Sequence, residues 1–113
     1  MINRKADMNV SIKEHMRGGS GSAKLTGLID QLPAKARLFS TITLEPGSSI
    51  GYHVHENETE LFYFVSGKAR VRDDDATYEL SAGDAMSTGS GHGHAVESIG
   101  SEPLVMVACI ILD

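Results

Sequence analysis

Apolar and polar residues alternate one for one along much of this chain, the period of strands with one buried face. Lys68–Asp73 sets Ala69 and Val71 against Lys68, Arg70 and Arg72. Met8–Met16 alternates more weakly, through Val10 and Ile12, and is expected as an edge strand. Lys24–Leu32, stopped before Pro33, and the Thr-, Ile- and Phe-rich Arg37–Leu44 read as strands. Ile50–His55, Glu60–Val65, Thr77–Leu80, Ala85–Thr88 and His94–Ile99 follow as further short strands. Turn chemistry separates them at Glu45-Pro46-Gly47, Ser66-Gly67, Ala82-Gly83-Asp84 and Gly89–Gly93, with Asp73-Asp74-Asp75 as a solvated hairpin tip. Leu104–Leu112 is apolar on both faces, the pattern of a strand covered once by the core and once by another layer or subunit. No long stretch carries a helical period. The pattern predicts an all-β sandwich or barrel.

Length and composition narrow this to one domain. At 113 residues the chain holds one modest core. Residues 1–24 are expected as an N-terminal arm or edge strand ending in the glycine-rich loop Arg17–Ser22, and residues 25–113 as a single barrel. Fifteen acidic residues against ten scattered basic ones give a net charge of −5, which argues against nucleic acid and anionic membranes as partners. A single cysteine, Cys109, permits no internal disulfide and fits a reducing compartment; its apolar strand suggests a buried, inert thiol. The first residues lack the apolar block of a secretory signal, and the longest apolar run is about half the ~20 residues of a membrane helix. A soluble, cytoplasmic protein is expected.

The chemistry concentrates between Gly47 and Gly67. His53 and His55 are two residues apart and face the same way in an extended strand. If Glu56–Thr59 forms a turn, the returning strand lays Glu60 beside both imidazoles, and His94 is a fourth candidate ligand. Three neutral imidazoles and one carboxylate form a mixed N/O set suited to one divalent transition metal: Mn, Fe, Co, Ni or Zn. A single strand histidine is ordinarily structural; here partner and spacing coincide. Glu58 and His92 share the parity of Glu60 and His94 and stand as alternative ligands, with solvated turn positions as their plainer reading. No Ser-His-Asp arrangement or phosphate-binding loop is present.

The spacing Gly47-x5-His53-x-His55-x4-Glu60-x6-Gly67 resembles the first signature of the cupin superfamily. Gly83-x5-Gly89-x-Gly91-x2-His94-x3-Ser98 resembles the second, with Gly89 and Ser98 where proline and asparagine are usual. The resemblance implies an antiparallel jelly-roll barrel with the metal inside, held by His53, His55, Glu60 and His94. Alternation then places Phe62 and Phe64 inward with Glu60, and Val96 inward with His94. One face of the last strand offers Met106, so these four side chains are expected to wall a largely apolar pocket.

The chain looks most like small single-domain bacterial cupins related to oxalate decarboxylase. Those decarboxylases carry a substrate-gripping arginine three residues before the first metal histidine, where this chain has Ile50. Arg17 is the candidate replacement, delivered by the N-terminal loop to a small anionic ligand. The expected function is a metal-dependent enzyme acting on a small carboxylate or oxygenated acid, by decarboxylase- or dioxygenase-type chemistry. The alternatives are a non-catalytic, metal-anchored binding module and a barrel whose metal is structural. The doubly apolar last strand and the small core favour a homodimer.

Overall fold

The alternation becomes ten antiparallel strands in two facing sheets. A computed structural model describes residues 1–113. The strands are β1 (Asn9–Glu14), β2 (Ser22–Gly27), β3 (Ala36–Leu44), β4 (Ser49–Val54), β5 (Glu58–Ser66), β6 (Lys68–Asp73), β7 (Ala76–Ser81), β8 (Ala85–Thr88), β9 (Gly93–Ser98) and β10 (Leu104–Leu112). The larger sheet runs β1-β2-β3-β10-β5-β8 and the smaller β4-β9-β6-β7. Consecutive strands β3, β4, β5 and β6 cross between the sheets, closing a jelly roll around one core. No helix is long and apolar enough to cross a membrane.

The core is the inward half of each alternation. Ile42 and Leu44 of β3, Phe62 and Phe64 of β5, Ala69 and Val71 of β6, Val96 of β9, and Leu104, Met106 and Ala108 of β10 are all buried. Burying a side chain of this size contributes about 1.5–3 kcal/mol. Pairing of β10 with β5 stacks the inward residues in levels: Met106 opposite Phe64, Ala108 opposite Phe62, Ile110 opposite Glu60. One end of the slot is therefore apolar, and the other meets an acid.

Two expectations shift. The reversal between β4 and β5 is tighter than a turn over Glu56–Thr59, because Asn57 adopts a left-handed backbone (φ 60°) and brings Glu58 into the strand. The outward face of β10 is not fully covered within the chain: Val105, Val107 and Cys109 are partly buried and Ile111 is exposed, so the Cys109 thiol lies on the sheet exterior. Residues 1–24 supply β1 at the edge of the larger sheet, paired along its length with β2, and a 3-10 turn at Met16–Gly18.

Candidate metal centre

β4, β5 and β9 bring His53, His55, Glu60 and His94 to one point. Their donor atoms all lie within 4.8 Å of one another. His53 and His94 are register partners across the β4–β9 pair. His55 follows β4 at the start of the reversal, and Glu60 faces it from β5. Glu60 Oε1 is 3.1 Å from the Nε2 atoms of both His55 and His94. The His94 Nε2 is 3.1 Å from that of His55 and 3.3 Å from that of His53.

The far side of each ring is engaged. His53 Nδ1–H donates to the Gly51 carbonyl (2.8 Å) and His55 Nδ1–H to Glu58 Oε2 (2.6 Å); Thr88 Oγ1 lies 2.8 Å from His94 Nδ1 and accepts from it in the matching tautomer. A neutral imidazole has one N–H. With that hydrogen engaged at Nδ1, each Nε2 presents a lone pair to the centre, beside a carboxylate. His55, Glu60 and His94 are buried. Four electron-rich atoms facing one another in a buried site repel unless a cation joins them, and this donor set fits a divalent metal.

The electrostatics agree. Burial, foremost, holds the His53 imidazole below its ordinary pKa, favouring the neutral form that ligates; the Gly51 hydrogen bond opposes this, and the nearby His94 and Arg17 add to it. The Arg37 guanidinium forks the Glu58 carboxylate (2.8 and 2.7 Å) and holds its pKa down to about 2, with the His55 hydrogen bond assisting against desolvation. Phe62 stacks on His94 at 5.0 Å between ring centres.

A cavity of about 160 Å³ opens over the cluster. Its wall includes Arg17, Phe62 and Val96, together with Met16, Leu25, Arg37, Leu38, Ile42, Ile50 and Ile110. Phe64 and Met106, expected on that wall, do not line it. Phe62 stands between Phe64 and His94, packing edge-on against the one (6.2 Å) and stacked on the other. Met106 lies opposite Phe64 at the apolar level, and Ile110 takes its place on the wall. His92 points away from the cluster: its ring is exposed and bonds Asp74 Oδ2 at 2.6 Å.

Arg17 reaches the wall because the 3-10 turn lies directly on β4. A β-carbon at Gly51 would fall 2.0 Å from the Arg17 carbonyl oxygen, and one at Gly19 would fall 2.1 Å from that of Ser49. Only glycines permit this contact. His15 and Arg17 both hold left-handed backbones (φ 49° and 54°), the kind of strain that gathers where a segment must aim a side chain. The arginine ion pairs of the chain are made by Arg37 and Arg70, and Arg17 is not among them.

Sequence reasoning missed the parts that orient the ligands. Glu58 gave a usable signal, since it shares a strand face with Glu60. Thr88 and Arg37 gave none, because β8 and β3 meet the site only through pairing with β5 and β10.

A jelly roll with three converging histidines and a glutamate inside defines a class, and the comparisons supply its family. The model of the cupin domain matches residues 40–110. The chain belongs to the cupin family. It is 36% identical over 114 residues to an oxalate-binding protein of Thermotoga maritima, covering 99% of this chain and 94% of that one. A crystal structure of a predicted oxalate decarboxylase from Thermotoga maritima superposes with a TM-score of 0.94 at 36% identity, covering 100% of both chains. The oxalate decarboxylase of Bacillus subtilis is 42% identical over 71 residues, covering 58% of this chain and only 18% of that protein.

Proposed function

We propose that the chain is a metal-anchored binder of small dicarboxylates of the oxalate type. The observation that carries this reading is a cavity with the His53, His55, Glu60 and His94 donor set at its base and one unpaired cation, Arg17, on its wall. The size supports it. About 160 Å³ is well below the roughly 300–1,000 Å³ of pockets for drug-sized ligands, and suits an acid of a few atoms. A bound divalent metal, whether Mn, Fe, Co, Ni or Zn, supplies Lewis acidity and coordination positions open to carboxylate oxygens. One carboxylate against the 2+ ion leaves a net positive centre, so an anion is attracted locally although the chain is acidic. Arg17 receives the far carboxylate, and Phe62, Val96 and Ile50 exclude water. The similarity to an oxalate-binding protein supports the same ligand class.

Binding is favoured over turnover by what the wall lacks. Its ionisable side chains are the four proposed ligands and two arginines. Glu58, the nearest further carboxylate, is held ionised by Arg37 and His55. No side chain on the wall is free to deliver a proton to a carbon centre, as decarboxylation to formate requires. The second reading, a metal-dependent decarboxylase or dioxygenase, rests on the likeness to the Bacillus subtilis enzyme. Calorimetric titration of Mn-loaded protein with oxalate, followed by assay of the mixture for formate and CO2, separates the two. Saturable heat with intact oxalate is expected, weakened in Arg17→Ala; catalytic formate or CO2 overturns the binding reading in favour of the enzyme.

The same reading includes a homodimer in a reducing, cytoplasmic setting, which the single cysteine fits. Val107 and Cys109 of β10 lie beside exposed Leu61, Tyr63 and Val65 of β5, leaving an apolar sheet exterior that a second copy would cover. Light scattering of Tyr63→Glu against the unaltered chain tests it: a dimer reduced to a monomer is expected, and equal masses overturn it.

A further inference from the structure

The three imidazoles converge alike, but the acceptors behind them differ in strength. His53 leans on a backbone carbonyl and His94 on a hydroxyl, whereas His55 leans on the Glu58 carboxylate. Glu58 is in turn gripped by a separate strand. Arg37 Nε donates to Oε1 and Arg37 Nη2 to Oε2, and Oε2 also receives the His55 Nδ1–H. The Glu58 side chain is 12% exposed and that of Arg37 49%. An isolated surface pair of this kind contributes little to stability. Here both carboxylate oxygens are occupied and the shared one is aimed at the back of a buried ring.

The geometry points to Glu58 and Arg37 as a positioning pair for the metal centre. Glu58 fixes the His55 tautomer with Nε2 bare and makes that nitrogen the most electron-rich of the three donors. Arg37 acts through Glu58, holding the carboxylate by both oxygens. The inference rests on reading the cluster as a metal centre. It follows from two features of the chain. The period of two puts Glu58 and Glu60 on one face of β5, so one strand delivers a ligand and the group that orients its neighbour. β10 separates β3 from β5 in the sheet, yet Arg37, set at the register shift between Ile110 and Ile111, reaches Glu58 across it. A carboxylate behind a ligating histidine raises the basicity of the ligand, and losing such a partner typically lowers metal affinity about 10–100-fold.

The test is Co(II) titration of the metal-stripped protein, followed by visible absorption in competition with a chelator, for the unaltered chain, Glu58→Gln, Arg37→Gln and the double variant. Nitrogen-15 NMR of the metal-free histidine rings and thermal midpoints accompany it. Glu58→Gln is expected to weaken Co(II) binding about 10–100-fold and to blur the fixed His55 tautomer, leaving those of His53 and His94 in place. Arg37→Gln should lose less, and the double variant should lose no more than Glu58→Gln alone, because the two act in series. Unchanged Co(II) affinity in Glu58→Gln overturns the inference while leaving the metal centre standing. So do losses that add in the double variant and track the thermal midpoint, which mark a structural ion pair. If the unaltered chain takes up no Co(II), the metal reading falls and this inference with it.

Discussion

Phe64 and His94 are comparably inaccessible, at 0% and 1% exposure, on opposite sides of Phe62 in the same barrel. Around Phe64 lie Leu104 and Met106, equally buried and wholly apolar; around His94 lie His55, Glu60 and Thr88, all buried and all polar. One strand period built both levels, so burial alone distinguishes nothing. The apolar level gains from leaving water, at about 25 cal/mol for each Å² removed. The polar level loses by it unless its charges and lone pairs find partners. The barrel is thus packed at one end and gathers a set of possible metal donors at the other, and the two ends should respond oppositely to substitution and to metal.

The largest effect is expected from setting Phe64→Ala against His94→Ala. Phe64→Ala empties a packed site and should destabilise the metal-free chain by about 3–5 kcal/mol in urea unfolding. His94→Ala removes one of several mutually repelling donors and should cost the metal-free chain distinctly less. With metal added the order reverses in kind. A ligand at a thousand times its dissociation constant stabilises the native state by about 4 kcal/mol. That increment should appear in Phe64→Ala wherever the variant folds and vanish in His94→Ala. If chelation leaves the unaltered chain as stable as before, or if His94→Ala keeps the increment, the division between the two ends is wrong.

A smaller effect should come from the segment that roofs the polar end. Gly51→Ala places a methyl 2.0 Å from the Arg17 carbonyl oxygen, a contact that only movement of the Met16–Gly18 turn relieves. Overpacking of this kind costs about 1–3 kcal/mol. The consequence for the site should be selective: oxalate affinity falls because Arg17 is displaced, while metal affinity holds because His53 still bonds the Gly51 carbonyl. Paired titrations with metal and then with oxalate read the two separately. Equal losses in both would mean that the turn supports the cluster itself rather than only its roof.

The same contrast explains what was legible in the sequence. Three of the four clustered residues could be found because their relation is local, a period of two for His53 and His55 and one reversal to Glu60; His94 came from the second motif, Gly83 to Ser98. Which apolar residues touch the cavity is a matter of level along paired strands. Choosing Ile110 over Met106 requires the β10–β5 register, which shifts at a bulge between Val105 and Met106. The reach of Arg17 depends on a close approach whose only trace is glycine at positions 19 and 51. Glu58 was visible as an acid on the face of Glu60, but its place in the strand rested on one dihedral, since a left-handed Asn57 shortens the turn and converts a loop acid into a strand acid. The all-β class followed from alternation and the jelly roll from the resemblance of the motifs, since neither depends on which level a side chain occupies.

The smallest effect is expected at the rim, where His92 and Asp74 join the loop before β9 to the β6–β7 hairpin. Asp74 takes the Gly93 N–H on Oδ1 and the His92 Nδ1–H on Oδ2. The Asp74 hydrogen bond and charge raise the His92 pKa above 6.5, with Asp73 adding to it. The Gly93 and His92 hydrogen bonds, with the Arg72 charge, lower that of Asp74 below 3.8. The signs bound a window. A raised histidine pKa contributes stability in full below 6.5, and this fades as pH rises through the raised value. A lowered aspartate pKa contributes above 3.8, and this fades as pH falls through the depressed value. The clasp should therefore be strongest between these limits. Both groups are solvated, so the gain is small and salt-sensitive. The thermal midpoint difference between the unaltered chain and His92→Ala, measured without metal, isolates the clasp from the imidazole cluster, which is common to both. It should be greatest near pH 5–6 and shrink by about pH 8–9. A difference that grows toward alkaline pH would place His92 in the network of the polar end, as a group that must be neutral to act, rather than on its rim.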